Sequence, residues 1–202
     1  MFESQIIKKY FSKLSKDNLG SLNLNDDVFF DRKNKLIVSV DTYIEGTHFL
    51  NFKKPELVIK KIIRSSISDL VCKGVQPKYY FISGSGNLKS FTSTNLKKIS
   101  KSLKQEQKKY NINLCGGDTV HSNKLSFTIT TIGFSKKIIF RNKAKLKDDI
   151  YVTGNLGDSF AGLNILKKRY KVNKNLKKYF EDKYYKPVIN LKLIKKLFLF
   201  AN

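Results

Sequence analysis

Four aspartates in this sequence share one kind of position, where a carboxylate at the end of an element could reach a ligand. Asp27 follows a loop, Asp41 follows a short apolar strand, Asp69 lies in the last turn of a helix, and Asp118 follows two glycines. Converging carboxylates repel one another unless cations lie between them. Oxygen ligands suit Mg²⁺, Mn²⁺ or Ca²⁺ better than zinc, and carboxylate-bound Mg²⁺ is typical of sites that bind phosphates. The pattern therefore indicates a metal–phosphate site, although a single aspartate at a strand end is more often a turn or capping residue.

Two glycine turns could approach a phosphate, namely Gly116-Gly117 and the pair Gly154 and Gly157 before a predicted helix. Both patterns are also common in plain turns, and the sequence has no G-x-x-x-x-G-K-[S/T] motif. The two histidines have no neighbouring cysteine pair, which argues against zinc. No serine or cysteine has a visible His–Asp partner set, so we identify no catalytic acid, base or nucleophile.

The composition describes a globular and very basic chain. It has 202 residues, 41% of them hydrophobic, and a formal net charge of +24. Of the 40 basic residues only four are arginine, which leaves 40 minus 4, or 36, lysines spread along the chain. Specific readers of nucleic acid rely on arginine for bidentate base contacts, so we expect no specific nucleic-acid partner.

The cellular compartment is predicted from the absence of targeting segments in the sequence and from its two cysteines. It has no run of 18 apolar residues and no signal with a cleavage site, so we expect no membrane span and a cytoplasmic protein. Cys72 and Cys115 lie far apart, which predicts reduced, buried thiols.

The elements that must position these residues alternate between helix and strand. Apolar spacing predicts helices over 3–14, Pro55–Cys72, 92–110, 158–170 and 191–200, and β-branched runs predict strands over 37–40, 79–83, 112–115, 125–134 and 150–153. Gly84-Ser85-Gly86 is predicted to be a plain turn. Because Asp69 lies at the unfavourable end of the helix dipole, we expect a cation near it. Strands interleaved with helices indicate a mixed α and β class.

The motifs resemble those of the thiamine-monophosphate kinase family, within the aminoimidazole-ribonucleotide-synthetase-like ATP-binding superfamily, in order and spacing along nearly the whole chain. The blocks that carry the resemblance are Asn25-Asp26-Asp27, Ser39-Val40-Asp41-Thr42, Glu45-Gly46-Thr47-His48-Phe49, Ser68-Asp69-Leu70, Gly116-Gly117-Asp118-Thr119, Arg141 and Leu156-Gly157-Asp158-Ser159. Each block is weak alone, but the ordered set is highly specific. The V-D-T-x-x-E-G-x-H-F block distinguishes this family from selenophosphate synthetase and the purine-pathway synthetases.

The resemblance implies ATP-dependent phosphorylation of thiamine monophosphate to thiamine diphosphate by direct in-line transfer, with several Mg²⁺ ions. It implies metal ligands at Asp27, Ser39, Asp41, Asp69 and Asp118, ATP contacts from Gly117, Asp118 and Arg141, and a substrate contact from His48. Phosphoryl transfer needs charge neutralisation and alignment more than it needs a nucleophile, which is consistent with the residues found.

The resemblance also implies an α+β architecture. Residues 1–149 would form an ATP- and Mg-binding N-terminal domain, with a mixed or antiparallel sheet flanked by helices that pairs with a second copy in a homodimer. Residues 150–202 would begin an α/β second domain. Family members continue into D-L-S-D-G and G-G-E-D-Y segments that this sequence does not contain, so we expect a truncated chain that is weakly active or inactive alone.

The sequence departs from the family pattern near the predicted site. Asn23-Leu24-Asn25 replaces a Gly-Ile-Gly, and Lys73 replaces a methionine. Two alternatives stay open. One is another ATP-dependent synthetase of the superfamily, such as selenophosphate synthetase; the other is a non-catalytic nucleotide-binding or dimerisation module.

Overall fold

The computed structural model describes residues 2–201, without the side chain of residue 195, and its centre is a five-stranded sheet. The strands are β1 (Phe29–Asp31), β2 (Leu36–Ile44), β3 (Pro77–Gly86), β4 (Asn113–His121) and β5 (Ser126–Phe134). Their order across the sheet is β1-β2-β5-β3-β4; every neighbouring pair is antiparallel except β3–β4, which is parallel. The predicted class, α+β with a mixed sheet flanked by helices, is confirmed.

Two long helices cover one face of the sheet: α2 (Pro55–Cys72) and α3 (Ser93–Tyr110). Pro55 occupies the first turn of α2, where its missing N–H costs nothing, and the helix ends as predicted at Cys72. Helix α2 buries an apolar stripe against β2 and β5. A buried ion pair joins α2 to α3. Arg64 Nε donates to Glu106 Oε2 at 2.7 Å, and Arg64 Nη2 donates to Glu106 Oε1 at 3.0 Å.

The opposite face of the sheet is bare. Along it the side chains of Val40, Phe81, Val120 and Phe134 are between 38% and 60% exposed. Strand β4 is exposed at every residue. An apolar sheet face of this kind is characteristic of a surface that another element or chain covers.

The N-terminal segment is helical, as predicted, but it is not one continuous α-helix. It consists of α1 (Glu3–Ile6), a π-helical turn (Ile7–Phe11) and a 3₁₀ turn (Ser12–Ser15). A second 3₁₀ segment, Leu19–Leu24, leads into β1 and has left-handed backbone at Leu22 and Asn23.

The C-terminal part is helical and packs on α2. It contains α4 (Asp158–Leu166), α5 (Lys174–Tyr185), a 3₁₀ turn (Leu191–Leu193) and α6 (Ile194–Phe200). Tyr184 and Tyr185 join the core beneath α2, and Arg64 donates to the Pro187 carbonyl at 3.3 Å. The predicted domain boundary at residue 149 stays a prediction. The helix predicted over 158–170 ends earlier, at Leu166.

Four sequence predictions about strands and turns differ from the structure. Gly84-Ser85-Gly86 is not a turn but the end of β3, and Gly116–Thr119 is not a turn but the middle of β4, because residues 81–86 pair with residues 116–121. The strand predicted over 37–40 continues to residue 44 because β5 pairs along its whole length. No strand forms over 150–153: these residues are exposed and no described strand pairs with them. Cys72 and Cys115 are free, but exposed rather than buried.

Candidate functional site

The first cluster of predicted site residues lies where β2 meets α2. Alternate residues of a strand share a face, so Ser39 and Asp41 both project on the side of α2. Ser39 is buried, and its hydroxyl donates to Asp69 Oδ2 at 2.7 Å. Asp41 Oδ2 accepts from the Tyr43 hydroxyl at 2.8 Å. The structure therefore brings Ser39 and Asp41 into one group with Asp69, which lies 30 residues after Ser39 in the sequence.

The electrostatics of this cluster show an excess of negative charge. Burial raises the pKa of Asp69 to about 6, and the charges of Asp41 and Asp27 add to the rise. The hydrogen bond from Ser39 and the charge of Lys73 act in the opposite direction. Asp69 is thus a carboxylate that is costly to ionise in this environment, and a bound cation would lower that cost.

The loop that carries the paired aspartates is anchored by a residue that sequence analysis did not assign. Lys73 forms an ion pair with Asp26, and both side chains are buried. Asp27 is exposed and pairs with Arg141 Nη1 at 3.2 Å. A cation near Asp69 was expected from the helix dipole, and Lys73, four residues further on, supplies it. The replacement of a methionine by Lys73 was the signal that pointed to this position.

These residues line an open cleft of about 680 Å³. Asp27, Asp41, Asp69 and Arg141 line it, and residues of the N-terminal helical segment line it as well. The cleft combines several carboxylates with one guanidinium. Such a lining suits a polyanion that binds through cations.

The donor set fits Mg²⁺ in kind, because every candidate ligand in the cleft is a carboxylate or hydroxyl oxygen. It does not form a closed site. Among residues 2–201, no group of three or more His, Cys, Asp or Glu side chains is arranged to hold a metal ion. Within one chain the cleft therefore offers an open set of oxygen ligands.

Asp118 lies elsewhere. The backbone register places Asp41, Ile129, Ile82 and Gly117 in one row across the sheet, and Asp118 in the next row, on the opposite face. Strands β2 and β4 are separated by three strand spacings, about 14 Å. The structure thus brings together Asp27, Ser39, Asp41, Asp69 and Arg141, but it does not bring Gly117 or Asp118 to them within one chain.

The Gly-Gly pattern has a clear local cause. A Cβ on Gly117 would lie 1.8 Å from the Ile82 carbonyl oxygen of the neighbouring strand. Gly116 has φ of +154° at the point where the β3–β4 register shifts. Both glycines therefore serve the close approach of two strands.

His48 lines a separate cavity of about 300 Å³ beside the N-terminus of α4. Its Nδ1 accepts from the Ile44 N–H at 3.0 Å, so Nε2 is the nitrogen left for a ligand. Lys61 and Lys167 line the same cavity, and burial lowers the pKa of Lys61. Sequence analysis missed both lysines, since nothing distinguishes them among the other lysines. The ring centroids of Tyr43 and His48 lie 5.8 Å apart in an edge-on arrangement. Because the Tyr43 hydroxyl also bonds to Asp41, this tyrosine connects the cavity to the cluster at Asp41.

Comparison with known proteins identifies close relatives. Residues 24–135 match the family model described as AIR synthase related protein, N-terminal domain. The chain is 37% identical over 193 residues to thiamine-monophosphate kinase of Buchnera aphidicola from Acyrthosiphon pisum, a match that covers 92% of this chain and 59% of the relative. It is 39% identical over 169 residues to the enzyme of Haemophilus influenzae, covering 81% of this chain and 51% of the relative. The chain therefore spans little more than half the length of these relatives.

Solved structures agree with the sequence comparison. The structure described as AaThiL complexed with AMPPCP and TMP has a TM-score of 0.82 and 25% identity, and the match covers 98% of this chain and 64% of that one. Thiamine monophosphate kinase from Aquifex aeolicus has a TM-score of 0.77 at 24% identity, covering 93% and 65% of the two chains. The predicted resemblance to thiamine-monophosphate kinases is confirmed. No helix within the described residues is long and apolar enough to cross a membrane.

Proposed function

The chain belongs to the AIR synthase related family, and from that premise we propose that it is the N-terminal part of an ATP-dependent thiamine-monophosphate kinase. The observation that carries this proposal is the convergence of Ser39, Asp41 and Asp69 with Asp27 on one cleft. The relatives named as this kinase, at 32–39% identity, supply the substrate. The proposed reaction transfers a phosphoryl group from ATP to thiamine monophosphate in the cytoplasm.

In this proposal Asp27, Ser39, Asp41 and Asp69 hold Mg²⁺ from one wall of the cleft. Bound Mg²⁺ would neutralise the phosphate charge that builds up during transfer. Arg141 contributes a planar guanidinium that can contact two phosphate oxygens at once. Its present partner, Asp27, is exposed, and an exposed ion pair at 3.2 Å is weak enough to exchange for a phosphate.

Asp118 and Gly117 would complete the site from a second copy of the chain. Strand β1 pairs only with residues 36–38 of β2, so the edge of β2 beside Asp41 is open. The outer edge of β4 is open as well, and the bare apolar face joins the two edges. A two-fold dimer that covers this face would bring β4 of one copy towards β2 of the other. The homodimer thus explains both the exposed face and the separation of Asp118 from the cleft.

His48 would contact the thiamine phosphate. Its cavity is lined by Lys61 and Lys167, whose positive charges suit an anionic group. A related structure at 25% identity was solved with both AMPPCP and TMP, which supports the proposal of one site for the nucleotide and another for the thiamine phosphate. We place the start of an α/β second domain at residue 150, and we expect little turnover from the 202-residue chain alone.

The direct test is Mg²⁺-dependent binding of AMPPCP, measured by calorimetry on the 202-residue chain. We expect binding that EDTA abolishes and that Asp41→Asn weakens by about tenfold or more, since a charged contact contributes about 1.5–3 kcal/mol. Asp31→Asn is the matched control, because Asp31 is the last residue of β1 and bonds only to Asn34 among the described side chains. Equal affinity in both variants would remove Asp41 from the site.

Turnover distinguishes the alternatives. Formation of thiamine diphosphate, when the C-terminal segments of the relatives are supplied, supports the kinase. Turnover only with another phosphate acceptor would favour a different synthetase of the superfamily. Tight AMPPCP binding with no turnover, even with those segments present, would favour a non-catalytic module.

A further inference from the structure

The N-terminal helical segment lies over the cleft but is not held there by burial. None of the residues in α1 or in the π-helical turn is buried. Glu3, Ile7, Lys8 and Ser12 nevertheless line the same cleft as the aspartates. Glu3 and Ile7 lie four residues apart, as do Lys8 and Ser12, so each pair projects from the same side of the segment. Packing alone does not account for a polar face directed at a carboxylate-lined cleft.

Lys8 is the basic residue of this segment that lines the cleft, and no carboxylate that the structure describes pairs with its ammonium group. The other cations near the aspartates have partners: Arg141 pairs with Asp27, and Lys73 pairs with Asp26. Lys8 forms no ion pair or ring contact with any residue that the structure describes. Its neighbour Lys9 is different, since Lys9 lies 5.1 Å from the centre of the Tyr10 ring and does not line the cleft.

The local backbone supports this placement. Residues Ile7–Phe11 form a π-helical turn, and such turns occur frequently at functional sites. The Ser12 hydroxyl donates to the Lys8 carbonyl at 2.8 Å, which satisfies a backbone oxygen at the end of the widened turn. Lys8 and Ser12 therefore lie on the same side, facing the cleft.

We infer that Lys8 binds the polyphosphate chain of the nucleotide in the cleft that the aspartates line, an inference that rests on the proposed function. The aspartates can approach a phosphate only through a cation. An ammonium can approach it directly, as a point charge with three donors. A polyphosphate in this cleft would then be held both by the metal-bearing carboxylates and by Lys8.

The test compares Lys8→Ala, Lys8→Arg and the matched control Lys9→Ala in the full 202-residue chain. Calorimetry with AMPPCP and Mg²⁺ should show affinity reduced by about tenfold or more in Lys8→Ala, because a charge-assisted contact is lost. Lys9→Ala should bind within about twofold of wild type, and Lys8→Arg should recover most of the affinity, since the charge is retained. Circular dichroism checks that all variants are folded, which is expected for exposed positions.

A second ligand separates a phosphate contact from a general effect on the segment. Lys8→Ala should weaken AMPPCP much more than AMP, because AMP lacks the polyphosphate. Equal affinity of Lys8→Ala and Lys9→Ala for AMPPCP would overturn the inference and leave the proposed function intact. An equal loss for AMP and AMPPCP would also overturn it. A wild-type chain that bound no AMPPCP would overturn the proposed function and this inference together.

Discussion

The cleft at β2 and α2 and the strand edge at β4 carry the same kind of motif, yet the structure treats them differently. At the cleft, Ser39 donates directly to Asp69, and Asp41 lies on the same face of β2. At the edge, Asp118 lies on the opposite face of the sheet, on a strand that is exposed throughout. Residues that belong to one ordered set of family motifs therefore need not lie close together within one chain. The cleft is assembled by the core of the chain, whereas the edge lies exposed at the surface.

The cause lies in burial. Strand β2 packs under α2, so the hydrophobic pattern fixes which side chains face the helix and therefore where Ser39 and Asp41 point. Strand β4 has a neighbour on one side only. Its position depends on the two glycines that allow it to approach β3.

The largest effect that we expect concerns those glycines. Gly117→Ala would place a methyl group 1.8 Å from the Ile82 carbonyl oxygen, so the two strands would have to separate. We expect a loss of more than about 3 kcal/mol in the free energy of unfolding, comparable with severe overpacking. Urea denaturation measures it.

Gly46→Ala is the control for that substitution. Gly46 has φ of +82° and no heavy atom within 4 Å of an added Cβ, so only backbone strain of about 1–2 kcal/mol is expected. If Gly117→Ala cost no more than Gly46→Ala, the β3–β4 approach would not be the constraint that distinguishes the edge from the cleft.

The sequence predicts the elements around the cleft better than it predicts the β4 edge. Helix α2 ends at Cys72 as its apolar spacing predicts, because that spacing records burial directly. The turn predicted at Gly116-Gly117 is wrong, because glycine marks close backbone approach within a strand as well as a turn. Only the pairing with β3, which no local pattern records, decides between the two. Lys73 was visible as an unusual residue, but its partner Asp26 could be identified only after folding.

The second prediction tests whether the edge acts on another copy of the chain. Asp41→Asn and Asp118→Asn should each abolish most Mg²⁺-dependent AMPPCP binding. Mixed in equal amounts, the two variants should recover about a quarter of the wild-type sites, since half of the dimers are mixed and each mixed dimer has one intact site. Calorimetry gives the number of sites.

The mixing experiment has a sharp negative outcome. If Asp41 and Asp118 acted within one chain, both sites of a mixed dimer would be defective and no binding would return. Val120→Glu, on the bare sheet face, should prevent recovery by blocking association, whereas Leu88→Glu, at an exposed residue outside the strands, should not. Sedimentation of each variant reports the association directly.

The smallest expected effect concerns the cleft alone. The pKa of Asp69 is about 6 in the folded chain against an ordinary value of 3.8, so between these values the folded state holds a proton that the unfolded state has lost. Stability therefore falls as the pH rises from 4 to 7. After allowance for solvent screening, the loss from this group is on the order of 1 kcal/mol. Asp69→Asn, which can still accept from Ser39, should remove that part of the pH dependence and be the more stable variant at pH 7.

Magnesium distinguishes the cleft from a purely structural cluster. At pH 7, added Mg²⁺ should stabilise the wild-type chain, because a cation bound to the folded state alone shifts the folding equilibrium. The same addition should have little effect on Asp69→Asn, in which the carboxylate is gone. Thermal unfolding with and without Mg²⁺ measures both. Equal stabilisation of the two chains would mean that the cation binds away from Asp69, and the assignment of the cleft as a cation site would then be wrong.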